Sequence, residues 1–224
     1  MTTLSRYNEQ QYEHMKKIWN CIHIFSKTLN VKDDDTCISY ICFFHCLTEL
    51  LPFIKYKREI FNFIQQYPLE SNINNSFEWS YKLHYYISYK FGEQLVSMEK
   101  LYNQYENITI NEWSDAVWYV LHFISCNLPN VLSDEIKDSF KSFLMCIRFL
   151  IPCNKCRDHM EKYLLENQID TTNNYTIFLW TYNYHKDVDR FSPDGRNSLK
   201  FSPEKIFSVM RITDNDINYI FIDN

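Results

Sequence analysis

The chain contains only two glycines, Gly92 and Gly195, among 224 residues. A dinucleotide fingerprint needs three glycines, and a phosphate-cradling P-loop needs two in one short loop, so both are excluded. So few glycines, with six prolines, also disfavour a turn-dense all-β fold. Any nucleotide cofactor must therefore be held by side chains on helices. Long hydrophobic runs are missing too: nothing approaches the roughly 18 apolar residues of a membrane-spanning helix. The polar stretch Met1–Gln11 lacks the apolar h-region of a secretory signal, so no signal peptide is expected. Positive charge is not in excess: the net charge is −5 and the isoelectric point about 5.8, giving no nucleic-acid footprint. Lys16, Lys17, Lys55, Lys57 and Arg58 read as solvated helix faces.

What is present points to a packed helical protein. Hydrophobic residues make up 46% of the chain and aromatic residues 17%, ample for a core. In 134–151 the apolar residues Ile136, Phe140, Phe143, Leu144, Ile147 and Leu150 recur at three- and four-residue spacing, the mark of an amphipathic helix. Pro152 ends that pattern, and a second helix starts at Cys153 and runs through Met160, Tyr163 and Leu164. Segments 13–29, 37–66, 77–102, 112–127 and 174–190 also read as helix.

The two halves of the chain resemble each other. Trp19-x3-His23 recurs as Trp118-x3-His122, Cys46-x5-Pro52 as Cys146-x5-Pro152, and Trp79-x4-His84 as Trp180-x4-His185. These anchors use scarce residue types, keep their order and hold a nearly constant offset, which predicts a tandem duplication. The copies differ where chemistry is expected. Phe53 and Tyr56 in the first half stand where Cys153 and Cys156 stand in the second, so the first cannot perform dithiol chemistry there.

Eight cysteines without a secretory signal suggest thiols, metal ligands or redox catalysts. Cys153-Asn-Lys-Cys156 at a helix start can close a small disulfide ring. The helix dipole, Lys155 and Arg157 favour a thiolate at the first position. A zinc knuckle would need two further ligands at matching spacing, and Cys42-x3-Cys46 on a helix does not supply a second knuckle, so no metal site is expected. A thioredoxin motif would need a βαβ context. An inert buried pair also fits the spacing alone. Likewise, a tryptophan and histidine one turn apart are usually core packing, and only the joint spacing with the cysteine pair gives them further meaning.

Trp118-x3-His122, Pro152-Cys-x-x-Cys156-x-x-His159 and Leu179-Trp-x4-His185-x2-Val188-Asp189 together resemble the Erv/ALR family of FAD-linked sulfhydryl oxidases over roughly residues 112–207. A degenerate module before an active one further resembles the quiescin and baculoviral sulfhydryl oxidases, a viral-type arrangement. The resemblance implies an all-α fold of tandem four-helix-bundle-like modules, residues 1–106 degenerate and 107–224 catalytic, packed as a pseudo-dimer. It implies FAD as cofactor, Cys156 as the flavin-proximal thiol and Cys153 as the outer interchange thiol. Trp118 and His122 would lie on the adenine-bearing side, and His159, His185, Val188 and Asp189 would line the rest, with Tyr163, Trp180 and Lys205 as further candidates. Several features depart from the family: both asparagines of its His-Asn-x-Val-Asn signature are replaced in His185-Lys-Asp-Val188-Asp189, Ser114-Asp115 stands ahead of Trp118 where a Gly-Pro or Gly-Arg is common, the basic and aromatic residues beyond the signature are matched only loosely, and its C-terminal structural cysteines are missing.

Thiol-bearing proteins would be the substrates, dioxygen the electron acceptor and hydrogen peroxide the product. The expected place of action is the cytoplasm, of a host cell if the chain is viral, or the virion. Cys21, Cys37, Cys42, Cys46, Cys126 and Cys146 are candidates for a shuttle disulfide, with Cys126–Cys146 one pairing among several. Association of two such chains is left open. The rival reading is a helical scaffold whose cysteine pair is vestigial.

Overall fold

The computed structural model describes residues 3–94, 96–191 and 199–212, and every described element is helical. Helices α1 (Thr3–Thr28), α2 (Asp34–Leu50), α3 (Ile54–Gln66), α4 (Ser76–Phe91) and α5 (Met98–Gln104) form the first half, with a 3-10 turn at Glu70–Asn75. Helices α6 (Ile110–Asn127), α7 (Asp134–Leu150), α8 (Asn154–Glu166), α9 (Asn174–Phe191) and α10 (Pro203–Met210) form the second. Among the described residues no helix is long and apolar enough to cross a membrane.

The expected helix over 37–66 is divided in two, and the cause is Pro52. The residue before a proline is pushed out of the helical region. Leu51 accordingly adopts φ −64°, ψ 129° while its N–H still reaches Leu47 O at 2.9 Å. Ile151 before Pro152 does the same at φ −60°, ψ 123°, with its N–H on Ile147 O at 3.0 Å. The expected helix over 77–102 is interrupted as well. Gly92 takes φ +66°, the left-handed position that glycine reaches without Cβ strain, and the Glu93 N–H closes back on Ser88 O at 2.8 Å. Thr109 and Glu112 start α6 with a reciprocal capping box.

The two halves repeat one another helix for helix, the 3-10 turn aside. Helices α2 and α7 are both 17 residues long and start at Asp34 and Asp134; α3 and α8 are both 13 residues long and start at Ile54 and Asn154. The halves meet where α2 lies along α7 and α1 along α6, while α1 packs on α4 and α6 on α9 within each half. At the α2–α7 seam Phe43 stacks on Phe143 with centroids 5.6 Å apart and planes 19° from parallel, and both rings are fully buried. Each is the other's counterpart one hundred positions away.

Truncating a fully buried phenylalanine removes its transfer energy and leaves a cavity, typically about 3–5 kcal/mol. Phe43→Ala and Phe143→Ala should each lower stability by about that amount in urea unfolding. The double variant should lose less than the sum, because the first truncation already removes the partner ring. Strict additivity would mean that the stacked pair contributes nothing as a pair.

Candidate active site

The Pro152 turn delivers Cys153 to the N-cap of α8, where it adopts an extended conformation (φ −142°, ψ 108°). Its Sγ accepts the backbone N–H of Cys156 at 3.3 Å. Cys153 and Cys156 are joined as a disulfide with Cα atoms 5.2 Å apart, and both are half-buried. Once the bond opens, a Cys153 thiolate retains an amide donor and the positive end of the helix, which favour the ionised form. The Arg157 Nε–H donates to Ile151 O at 2.6 Å and braces the turn.

On α8, Cys156, His159, Met160 and Tyr163 follow at three- and four-residue spacing and share a face. That face meets α9. His159 Nε2 lies 2.9 Å from Asp187 Oδ2, and its ring approaches Tyr184 (6.1 Å) and Phe191 (5.2 Å) edge-on. Tyr163 contacts Tyr184 at 4.9 Å and Trp180 at 5.3 Å. Tyr184 reaches Trp118 at 5.2 Å, and Trp118 stacks on His185 at 3.9 Å with the planes 5° apart. One unbroken run of rings thus links His159 and Tyr163 on α8, through Tyr184 on α9, to Trp118 and His122 on α6.

The far end of this run is a buried hydrogen-bond relay. The Thr181 hydroxyl donates to Phe178 O at 2.8 Å, so its oxygen accepts from His122 Nδ1–H at 3.2 Å. His122 Nε2 is then the acceptor facing His185 Nδ1 at 2.9 Å. Burial pulls both imidazoles down to about 3, helped for His122 by the neighbouring ring, so both are neutral near pH 7. A second proton would place two N–H groups face to face in a buried site that solvates charge poorly.

The first half contains the same relay. The Ser80 hydroxyl donates to Phe77 O (2.9 Å), His23 Nδ1 meets Ser80 Oγ (3.2 Å), His23 Nε2 meets His84 Nδ1 (2.8 Å), and Trp19 stacks on His84 (4.4 Å). The indole N–H of Trp79 donates to Tyr67 O at 2.8 Å, as that of Trp180 does to Asn167 O at 2.9 Å. The difference lies at the helix start. Phe53 is the N-cap of α3 and makes no side-chain cap bond, and the Tyr56 hydroxyl is hydrogen-bonded to Glu93. Beside that pair lies a cleft of about 500 Å³ lined by Tyr12, Tyr56, Phe91 and Glu93.

The structure thus brings Trp118, His122, His159, Tyr163, Trp180 and His185 into one run of rings, with Cys153 and Cys156 at the start of the helix that carries His159 and Tyr163. Val188 is half-buried against the core, and Asp189 accepts the Leu199 N–H at 3.3 Å with its Oδ1 4.0 Å from His185 Nε2. Lys205 lies apart from the ring run, exposed on α10. Tyr184 and Asp187 were missed in the sequence. Tyr184 follows Trp180 by one turn on the same face, a spacing that could have revealed it, whereas Asp187 carries no such signal. Cys126 and Cys146 do not pair: both are free thiols, and Cys146 turns instead toward Cys42 and Cys46.

Residues 115–198 match the Erv1 / Alr family. The chain is 24% identical over 99 residues to the mitochondrial FAD-linked sulfhydryl oxidase of Saccharomyces cerevisiae, covering 44% of this chain and 52% of that protein. It is 26% identical over 102 residues to a probable FAD-linked sulfhydryl oxidase of Acanthamoeba polyphaga mimivirus, covering 44% of this chain and 68% of the viral protein. The match to the yeast protein thus spans only about half of that relative's length. No solved structure matches the chain.

The relay sets an acid limit on stability. Unfolded histidines titrate near 6.5; in the fold His122 and His185 are held down to about 3 and His84 to about 4, with His23 also well below its ordinary value. The unfolded chain therefore binds more protons between these limits. The histidine contribution is complete above about pH 6.5 and is lost as pH falls toward 3, by up to about 1.4 kcal/mol per pH unit for each imidazole. Urea midpoints measured from pH 7 to 4.5 should fall, and His84→Asn should flatten the slope by about one proton. An unchanged slope in that variant would refute the relay as its origin.

Proposed function

We propose that the protein is an FAD-dependent thiol oxidase that forms disulfides in substrate proteins through Cys153 and Cys156. In this reading residues 107–224 are the catalytic module and residues 1–106 a degenerate copy packed against it as a pseudo-dimer. The observation that carries the proposal is the disulfide at the N-terminus of α8, beside a run of aromatic rings that ends in two buried neutral imidazoles. The match of this segment to a family with FAD-linked sulfhydryl oxidases among the chain's relatives supports it.

The residues fit the group. A flat conjugated ring system needs apolar, uncharged walls, and Trp118, Tyr184, Tyr163, His122 and His185 offer them from three helices. The absence of a glycine-rich phosphate loop is consistent with side-chain capture on helices. Trp118, His122, His159, Tyr163, Trp180, His185, Val188 and Asp189 would hold the cofactor. When bound, FAD would accept the electron pair of the reduced cysteines and pass it to dioxygen, giving hydrogen peroxide.

The chain's own residues perform the exchange. A substrate thiolate attacks Cys153 Sγ, a new S–S bond forms, and the Cys153–Cys156 bond breaks with Cys156 leaving as thiolate. A second substrate thiolate attacks the mixed disulfide at the substrate sulfur. Cys153 departs as a thiolate, held by the Cys156 N–H, and the substrate leaves with its two thiols oxidised to one disulfide. The relay keeps Trp118 and His185 parallel. Two thiols and one disulfide become two thiols and one disulfide, so the exchange itself consumes no oxidant.

Purified full-length protein should be yellow, bind one FAD per chain and consume oxygen with a dithiol. Cys153→Ser and Cys156→Ser should each lower turnover at least about 100-fold while retaining the flavin colour. A colourless protein that takes up no FAD would overturn the proposal and leave the scaffold reading, which the replaced asparagines of the signature favour.

A further inference from the structure

The α2–α7 seam carries a group of side chains that the oxidase reading does not use. Cys42 and Cys46 on α2 and Cys146 on α7 present their sulfurs within 4.8 Å of one another, and all three are free thiols. Cys42 Sγ and Cys46 Sγ are 3.9 Å apart. Three sulfurs around one ion at the usual zinc–thiolate distance of about 2.3 Å stand about 3.8–4.0 Å from each other. Sulfurs joined as a disulfide stand about 2.05 Å apart.

The sequence spacing agrees with this geometry. Positions i and i+4 of a helix direct two side chains to one side, the spacing that metal-chelating helices use. A third ligand from a facing helix completes three points of a tetrahedron. Cys46 and Cys146 are buried at 5% and 4% exposure, and Cys42 is half-buried, so one side of the group opens toward solvent. Phe43 and Phe143, stacked across the same seam, are fully buried and hold the two helices in register.

We propose that Cys42, Cys46 and Cys146 form a three-thiolate site for a thiophilic metal ion, Zn²⁺, with water in the fourth position on the Cys42 side. Soft thiolates select such ions over Mg²⁺ or Ca²⁺. Binding releases the thiol protons and ties α2 of the first half to α7 of the second, acting as a clasp between the halves. It also withdraws three thiols from oxidation in a protein that forms a disulfide a few residues further along the chain.

The test uses reduced, full-length Cys153→Ser/Cys156→Ser protein, in which the inner pair cannot contribute ligands. Zinc chloride titrated against a chromophoric chelator should give one ion per chain, and cobalt chloride should produce thiolate-to-metal charge-transfer absorption. Zinc should raise the thermal midpoint. Adding Cys42→Ser, a change at the half-buried position that spares the packed core, should remove the midpoint rise. It should also weaken zinc binding by more than the roughly 10–100-fold that loss of a supporting outer-shell partner costs. Equal zinc affinity with and without Cys42→Ser, absence of the charge-transfer band, or a Cys46–Cys146 disulfide in protein alkylated on lysis would each overturn the proposal. Oxidase activity does not enter the readout, so failure here is separate from failure of the proposed function.

Discussion

The packing of α2 along α7 is the contact on which the rest of the structure depends. Phe43 against Phe143 brings like positions of the two halves together, as in an isologous interface. In a two-fold arrangement only residues near the axis meet their own counterparts, and Cys46 with Cys146 is a second such pair. Both helices end at a proline, and both prolines feed a short helix that turns back onto its own half. The seam therefore sets where α3 and α8 begin, and with α8 the place of the Cys153–Cys156 disulfide. Were the two helices to slide by one turn, the aromatic pair, the thiol cluster and the mouth of the α8 turn would all be displaced together.

Much of this was legible because it depends on local covalent geometry and periodicity. Pro152 as a helix stop and Cys153 as a helix start follow from spacing along helices, whereas grouping Trp118 and His122 with His185 comes from the family resemblance. The breaks at Pro52 and Gly92 carry equally plain signals, yet the apolar periodicity on either side of them reads as one continuous helix. What the sequence hid is what tertiary contact creates. Cys146 lies a hundred residues from Cys46, and spacing reveals knuckles, not ligand sets assembled across a seam. Asp187 reaches His159 only because α8 and α9 face each other. Lys205, suggested by resemblance rather than by periodicity, lies on a helix whose inward face is Phe207, packed against Tyr175 and Phe178.

The first half is informative as an internal control. It retains the tryptophan–histidine stack, the hydroxyl relay and the indole clamp with Phe53 and Tyr56, not a cysteine pair, at the start of α3. These features must therefore contribute to folding, since no dithiol chemistry is available there to account for them. Part of the apparent active-site pattern in the second half is consequently scaffold. What distinguishes the second half is the substitution of two sulfurs for Phe53 and Tyr56, and the loss of the Tyr56–Glu93 hydrogen bond that ties down that corner in the first.

A scaffold of buried neutral histidines is an unusual choice for mere packing, since an apolar side chain would avoid the acid penalty. Its value lies in direction. Phenylalanine or leucine could fill the same volume, but neither fixes the plane of a ring by two hydrogen bonds. In His122 both ring nitrogens are engaged, one by Thr181 and one by His185, so its plane cannot turn without breaking a buried hydrogen bond. His185 inherits that orientation and passes it to Trp118, 3.9 Å away and 5° from parallel. In the proposed oxidase, that flat, uncharged face of defined orientation is what a planar cofactor would meet. The sensitivity to acid is then the physical consequence of holding that face with imidazole rather than with carbon.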